Sequence, residues 1–204
     1  MIESLHELLL NYAETESREQ RARIEAEIWE RFGAERSVLI WDMSGFSLLT
    51  RRHGIIHYLS MVRRMQEATR PIVGAYGGAM VKFEADNGFA VFPDPERAIL
   101  AALEMNAAFT LENSQHAEEF DIRISCGIDH GRILLIEEHD FFGEAVNIAC
   151  KLGEDLAGPG EILTTRSAIS GIPESDAFNI TPIKLTIAGL ELDAAGITRS
   201  AGES

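Results

Sequence analysis

Cysteine and positive charge are both scarce in this chain. Its 204 residues include two cysteines, Cys126 and Cys150, and neither lies in a metal-spaced pair. That excludes a disulfide scaffold and a zinc cluster, and predicts free thiols in a reducing compartment. Lys and Arg total 18 against 33 Asp and Glu, for a net charge of -15. Nucleic acid and anionic membrane surfaces need a Lys/Arg footprint, so neither is expected as a partner. No run of 18 apolar residues is present to span a bilayer. The N-terminus, MIESLHELLLNYAETES, lacks the basic region and cleavage site of a signal peptide. The predicted location is the cytoplasm. Also missing are a G-x-x-x-x-G-K-[ST] loop, a G-x-G-x-x-G after a strand, H-E-x-x-H, C-x-x-C and G-x-S-x-G. The six histidines show no ligand spacing. Chemistry must come from carboxylates and a few polar groups.

What is present is ordinary globular material, 46% hydrophobic and 25% charged, long enough for one domain with an appendage. Residues 2 to about 32 read as helix, closed by Gly33, with Leu5, Leu8, Leu9, Tyr12, Ile24, Ile28 and Phe32 apolar. Residues 1–33 form the predicted helical appendage and 34–204 the main domain. From Ser37 the pattern becomes a buried strand, SVLIWDM, ending at Asp42. Helices follow around 45–52 and 55–75, with Pro71 expected to kink or shorten the second. AMVKFEADNGFAVF reads as a hairpin turning at Asp86-Asn87-Gly88. Pro93 and Pro95 open a long helix. FDIRISCGID is read as a strand, His130-Gly131 as a turn and RILLIEE as a second strand. A helix from about Gly143 to Leu156, the strand GEILTT and a terminal hairpin complete the chain. The order predicts an α+β fold with a ferredoxin-like βαββαβ core, an extra C-terminal hairpin and a preceding N-terminal helix.

Taken singly, Asp42 is most simply a turn or helix-cap residue, and Asp86 is what a tight hairpin turn wants. As a pair they say more. In a ferredoxin-like sheet the first strand lies beside the hairpin, so the two carboxylates can converge. Two carboxylates plus substrate phosphates suit Mg²⁺, and two ions a few ångströms apart form the clamp of in-line phosphoryl transfer. The turn after Asp42, carrying Ser44, Gly45 and Phe46, can offer backbone N–H groups to phosphate oxygens.

WDMSGFSLL, KFEADNGFAVF, ISCGIDHGRIL and FFGEAVNIACKLGEDLAGPGEIL resemble, in order, the motifs of class III nucleotidyl cyclase catalytic domains. The resemblance runs from about Ser37 to Thr164, with a weaker tail to about Ile197. It implies a homodimer with active sites at the subunit interface. Asp42 and Asp86 would bind two Mg²⁺ or Mn²⁺ ions per site from one subunit. Lys82 and Asp140 from the other would read the purine, in the combination that selects adenine, and Asn147 would position the ribose. The implied function is an adenylate cyclase in signal transduction, converting ATP to 3′,5′-cyclic AMP and pyrophosphate.

Four departures weaken that implication. Lys151 stands where the family carries its transition-state arginine, and lysine lacks the planar donor fork. Ala188 stands where a triphosphate-binding lysine is expected, with Lys184 and Arg166 as out-of-register substitutes. Ala85 replaces a glycine before Asp86. Glu84 occupies a usually small or apolar position, where it either pairs with Lys82 or adds a third carboxylate near the metals. The resemblance therefore also admits a degenerate nucleotide-binding or regulatory module with little or no turnover, and a cyclase of altered base preference. The G-G-[DE]-E-F hairpin of diguanylate cyclases is absent.

Overall fold

Strand β1 (Gly33–Met43) lies in the interior of the sheet, and most of what surrounds it follows from its alternation. The structure is a computed structural model that describes residues 4–136, 139–172, 175–187 and 190–200. Every residue of β1 from Ser37 to Asp42 pairs antiparallel with β3 (Asn87–Phe92) on one side. On the other side it pairs with β4 (Ile124–Ile136) along its whole length. Strand β2 (Ala79–Glu84) completes the hairpin with β3, and the order β2-β3-β1-β4 is the ferredoxin-like arrangement. Strand β6 (Ile162–Thr165) lies parallel to β4, and the hairpin of β7 (Phe178–Ile187) and β8 (Leu190–Arg199) extends the sheet beyond it. A short β5 (Asp140–Phe142) pairs with the far end of β4.

Because side chains alternate across a strand, β1 feeds two cores. Leu39, Trp41 and Met43 pack under α4 (Ile55–Ala75) and α5 (Pro95–Asn113) in the larger core. Val38 and Ile40 face the smaller one, closed by Phe89, Phe141 and α6 (Glu144–Cys150). Helix α3 (Phe46–His53) joins β1 to α4.

Three local expectations are corrected. The N-terminal segment is two helices, α1 (Leu5–Glu14) and α2 (Arg18–Phe32). Thr15 turns extended, its hydroxyl bonds back to the Asn11 carbonyl, and Ser17 caps the new helix. Helix α2 leads straight into β1, so the strand begins four residues before Ser37. The Arg132 guanidinium over the Trp29 ring, 4.3 Å away, ties α2 to β4. His130-Gly131 is no turn: Ser37 and Arg36 pair opposite them, and β4 continues through. Pro71 lies inside α4, which runs to Ala75 as the expected 55–75 span has it. Finally, α6 gives way at Lys151 to a π-helical turn, Lys151–Leu156. Gly153 in that turn sits against Gly127 of β4: a Cβ on Gly153 would lie 2.9 Å from the Gly127 amide nitrogen.

Candidate active site

Cross-strand partners share a face, and the register sets four polar residues in one row. Glu84 of β2 opposes Asn87 of β3, Asn87 opposes Asp42 of β1, and Asp42 opposes Ser125 of β4. The row lies on the face covered by α6 and the π-helical turn. Ser125 is buried, and its hydroxyl donates to the Asp42 main-chain carbonyl at 3.5 Å. The Met43 amide donates to the Asp86 carbonyl at 3.3 Å, tying the end of β1 to the hairpin turn.

Asp86 follows Ala85, whose φ of 52° lies in the left-handed region that favours glycine. Its carboxylate accepts a 2.6 Å hydrogen bond from the Tyr58 hydroxyl, which also donates to the Met43 carbonyl at 3.2 Å. Burial and these acidic neighbours push the Tyr58 phenol up. Burial, then the charges of Asp86 and Glu154, push the Asp42 carboxyl up to about 7. Glu154, in the π-helical turn, is itself raised by its burial. Asp42 and Asp86 are therefore electrostatic neighbours that a cation would relieve. No group of three or more His, Cys, Asp or Glu side chains placed to hold a metal occurs among the described residues. Two carboxylates plus phosphate and water oxygens remain a fitting donor set for Mg²⁺.

On the same face a cavity of about 400 Å³ is lined by Lys82, Glu84, Asp140, Asn147, Cys150 and Glu154, with Phe89 and Phe142 among its apolar walls. The Lys82 ammonium is 3.2 Å from Asp140 and 3.4 Å from Glu84. Glu84 thus pairs with the lysine. Phe141 packs on Phe89, and its backbone N–H donates a 3.0 Å hydrogen bond to the Asp140 carboxylate, which helps fix Asp140 in place. Asn147 is exposed at the cavity wall. Lys151 is not in the lining: its ammonium bonds Asp155 at 2.8 Å on the exposed side of the π-helical turn. Lys184 lies 3.9 Å from Glu191 in the terminal hairpin, and Ala188 lies outside the described residues. The Ser44 amide is taken by the Arg123 carbonyl at 2.9 Å, so it is not available to a phosphate. Gly45, at φ 100°, opens α3 without a side-chain cap, and Phe46 stacks edge-on against Tyr58 at 5.0 Å.

Tyr58, Asn87 and Glu154 were not singled out from the sequence as site residues. Helical spacing marks Tyr58 only as a core residue with Met61, Val62 and Met65. Asn87 read as turn chemistry, and Glu154 is aimed by a π-helical turn that leaves no signal in the residue pattern. Both cysteines are free; Cys126 is buried and its thiol is pushed up by that burial.

The fold is that of class III adenylate and guanylate cyclase catalytic domains. An adenylate/guanylate cyclase/hydrolase from Silicibacter pomeroyi superposes with a TM-score of 0.68 at 24% identity, over 83% of this chain and 99% of that one. The catalytic core of a rhodopsin-guanylyl cyclase with converted specificity, in complex with ATPαS, gives 0.67 at 18% identity, over 82% and 98%. No family model matches the chain. By sequence it is 28% identical over 144 residues, 71% of its length, to an uncharacterized protein of Mycobacterium tuberculosis. The match covers only 36% of that relative, so the chain spans about a third of its length. A Rhizobium meliloti protein provisionally named adenylate cyclase 3 is 29% identical over 126 residues, 62% of this chain and 21% of that protein. No helix among the described residues is long and apolar enough to cross a membrane.

Proposed function

We propose that this chain is an adenylate cyclase domain that converts ATP to 3′,5′-cyclic AMP and pyrophosphate in a homodimer, in the cytoplasm. The observation that carries the reading is Lys82 paired with Asp140 at 3.2 Å in the wall of a cavity of about 400 Å³ that Asn147 also lines. A donor beside an acceptor matches the adenine edge, where ring nitrogen N1 accepts and the N6 amino group donates. Asn147, in the cavity wall, would hold the ribose. Asp42 and Asp86 of the partner subunit would hold two Mg²⁺ or Mn²⁺ ions, which would lower the pKa of the 3′-hydroxyl and neutralise triphosphate charge. Phe141 and Phe89 exclude water behind the base. The 3′-oxygen bonds to the α-phosphorus, the bond to the β-phosphate bridge breaks, and the hydroxyl proton leaves to solvent with pyrophosphate departing. The residues chiefly position the reacting groups.

One observation favours a second reading, a nucleotide-binding or regulatory module of little turnover. Lys151, the cation expected at the α-phosphate, is engaged by Asp155 away from the cavity. Incubation with ATP or GTP and Mg²⁺ or Mn²⁺, followed by chromatography for cyclic nucleotide, decides between them. Cyclic AMP from ATP, lost in Lys82→Ala, supports the cyclase. Nucleotide binding without product under every metal supports the module.

A further inference from the structure

The Asn87 carboxamide oxygen is fully buried and has no hydrogen-bond partner. Leaving such an atom unpaired is costly, so a fold keeps one where something else satisfies it. Its position says what that is. Asn87 directly opposes Asp42 and follows Asp86 in the chain. The other two residues of the row, Glu84 and Ser125, are already engaged, with Lys82 and with the Asp42 carbonyl respectively. The turn around it is fixed: Gly88 lies against the Trp41 indole, with no room for a Cβ, and so pins Asn87 to the opposite face.

We propose that the Asn87 Oδ1 atom is a third protein oxygen of the divalent-cation site formed by Asp42 and Asp86. The inference rests on the cyclase reading of that pair. A hard cation takes oxygen donors of any charge. Asp42 already feels Asp86 and Glu154, and a further carboxylate would add repulsion whenever the cation is absent. A neutral amide oxygen adds a ligand without that cost.

The test is Mn²⁺ binding to the full chain, without and with a non-reactive ATP analogue, followed by electron paramagnetic resonance of free Mn²⁺. Thermal melts in EDTA and in Mn²⁺ run beside it. Asn87→Leu should weaken Mn²⁺ binding about tenfold, in line with the loss of one metal-site partner. It should also raise the melting temperature in EDTA, because the unpaired buried oxygen is gone. A purely structural role would move the two melts together. Asn87→Asp, which keeps an oxygen there, should bind Mn²⁺ at least as tightly as the parent. Unchanged Mn²⁺ affinity in Asn87→Leu overturns the proposal, as does loss of binding in Asn87→Asp. A parent chain that binds no Mn²⁺ overturns it too, together with the metal site. Asn87-dependent Mn²⁺ binding without any cyclic nucleotide product supports this site and overturns the cyclase reading instead.

Discussion

Asp42 sits where burial and two like charges oppose its ionisation, and its carboxyl is pushed up to about 7 from an unfolded value near 3.8. Between those values the folded chain binds more protons than the unfolded one, so stability falls as pH rises. The contribution is fully present below about pH 4 and lost by the time pH passes 7. In EDTA, Asp42→Asn is expected to be the more stable protein at pH 8. A gain of about 1–2 kcal/mol, after allowance for solvent screening, corresponds to about 2–8 °C in melting temperature. The gain should shrink to nothing near pH 4. Melting curves across that range check it, and an unchanged or lower melting temperature at pH 8 would show that Asp42 is well solvated. Saturating Mn²⁺ should erase or reverse the difference, since only the carboxylate gains from the cation.

At the scale of elements, the site depends on how closely the π-helical turn approaches β4. A Cβ on Gly127 would strike the Ala149 carbonyl oxygen and the Gly153 amide nitrogen, both main-chain atoms with little freedom to yield. Gly127→Ala is therefore expected to cost about 1–3 kcal/mol, read as a lower denaturation midpoint in urea, and to displace Glu154 from the cavity. An unaltered midpoint would mean that the turn relaxes freely. This contact also shows where sequence reading stops. Asp42 and Asp86 stood out because each lies at a strand or hairpin end, where alternation and turn chemistry fix the face, and Lys82 and Asp140 followed from the motifs that hold them. Asn147 followed from its motif. Tyr58 reaches Asp86 from a helix 28 residues away in the chain, and Glu154 is aimed by one irregular helical turn; neither contact is written in local periodicity. The same limit misplaced the turn at His130-Gly131. Those residues have local turn character, but β1 opposite them supplies a continuous ladder, and pairing overrides local preference. The helix break at Ser17 was written in the sequence as a capping residue, within a stretch too polar for periodicity to mark.

At the scale of the whole molecule, the proposed chemistry divides between two chains. In that proposal Asp42 and Asp86 would hold the cations for one site, while Lys82, Asp140 and Asn147 of the same chain would serve the other. In a twofold dimer each lesion therefore falls in a predictable site. Asp86→Ala alone and Asn147→Ala alone each damage both sites of their homodimer. In a mixed dimer both lesions fall in one site, and the second site carries neither. Equal mixing yields half mixed dimers, each with one intact site of two, so about a quarter of the parent activity should return. Cyclic AMP formation after co-refolding the two inactive variants measures it. Recovery near that level supports sites shared across the interface. No recovery, with mixed dimers verified by mass spectrometry, would place all five residues in a single chain's site and remove the need for a dimer in catalysis.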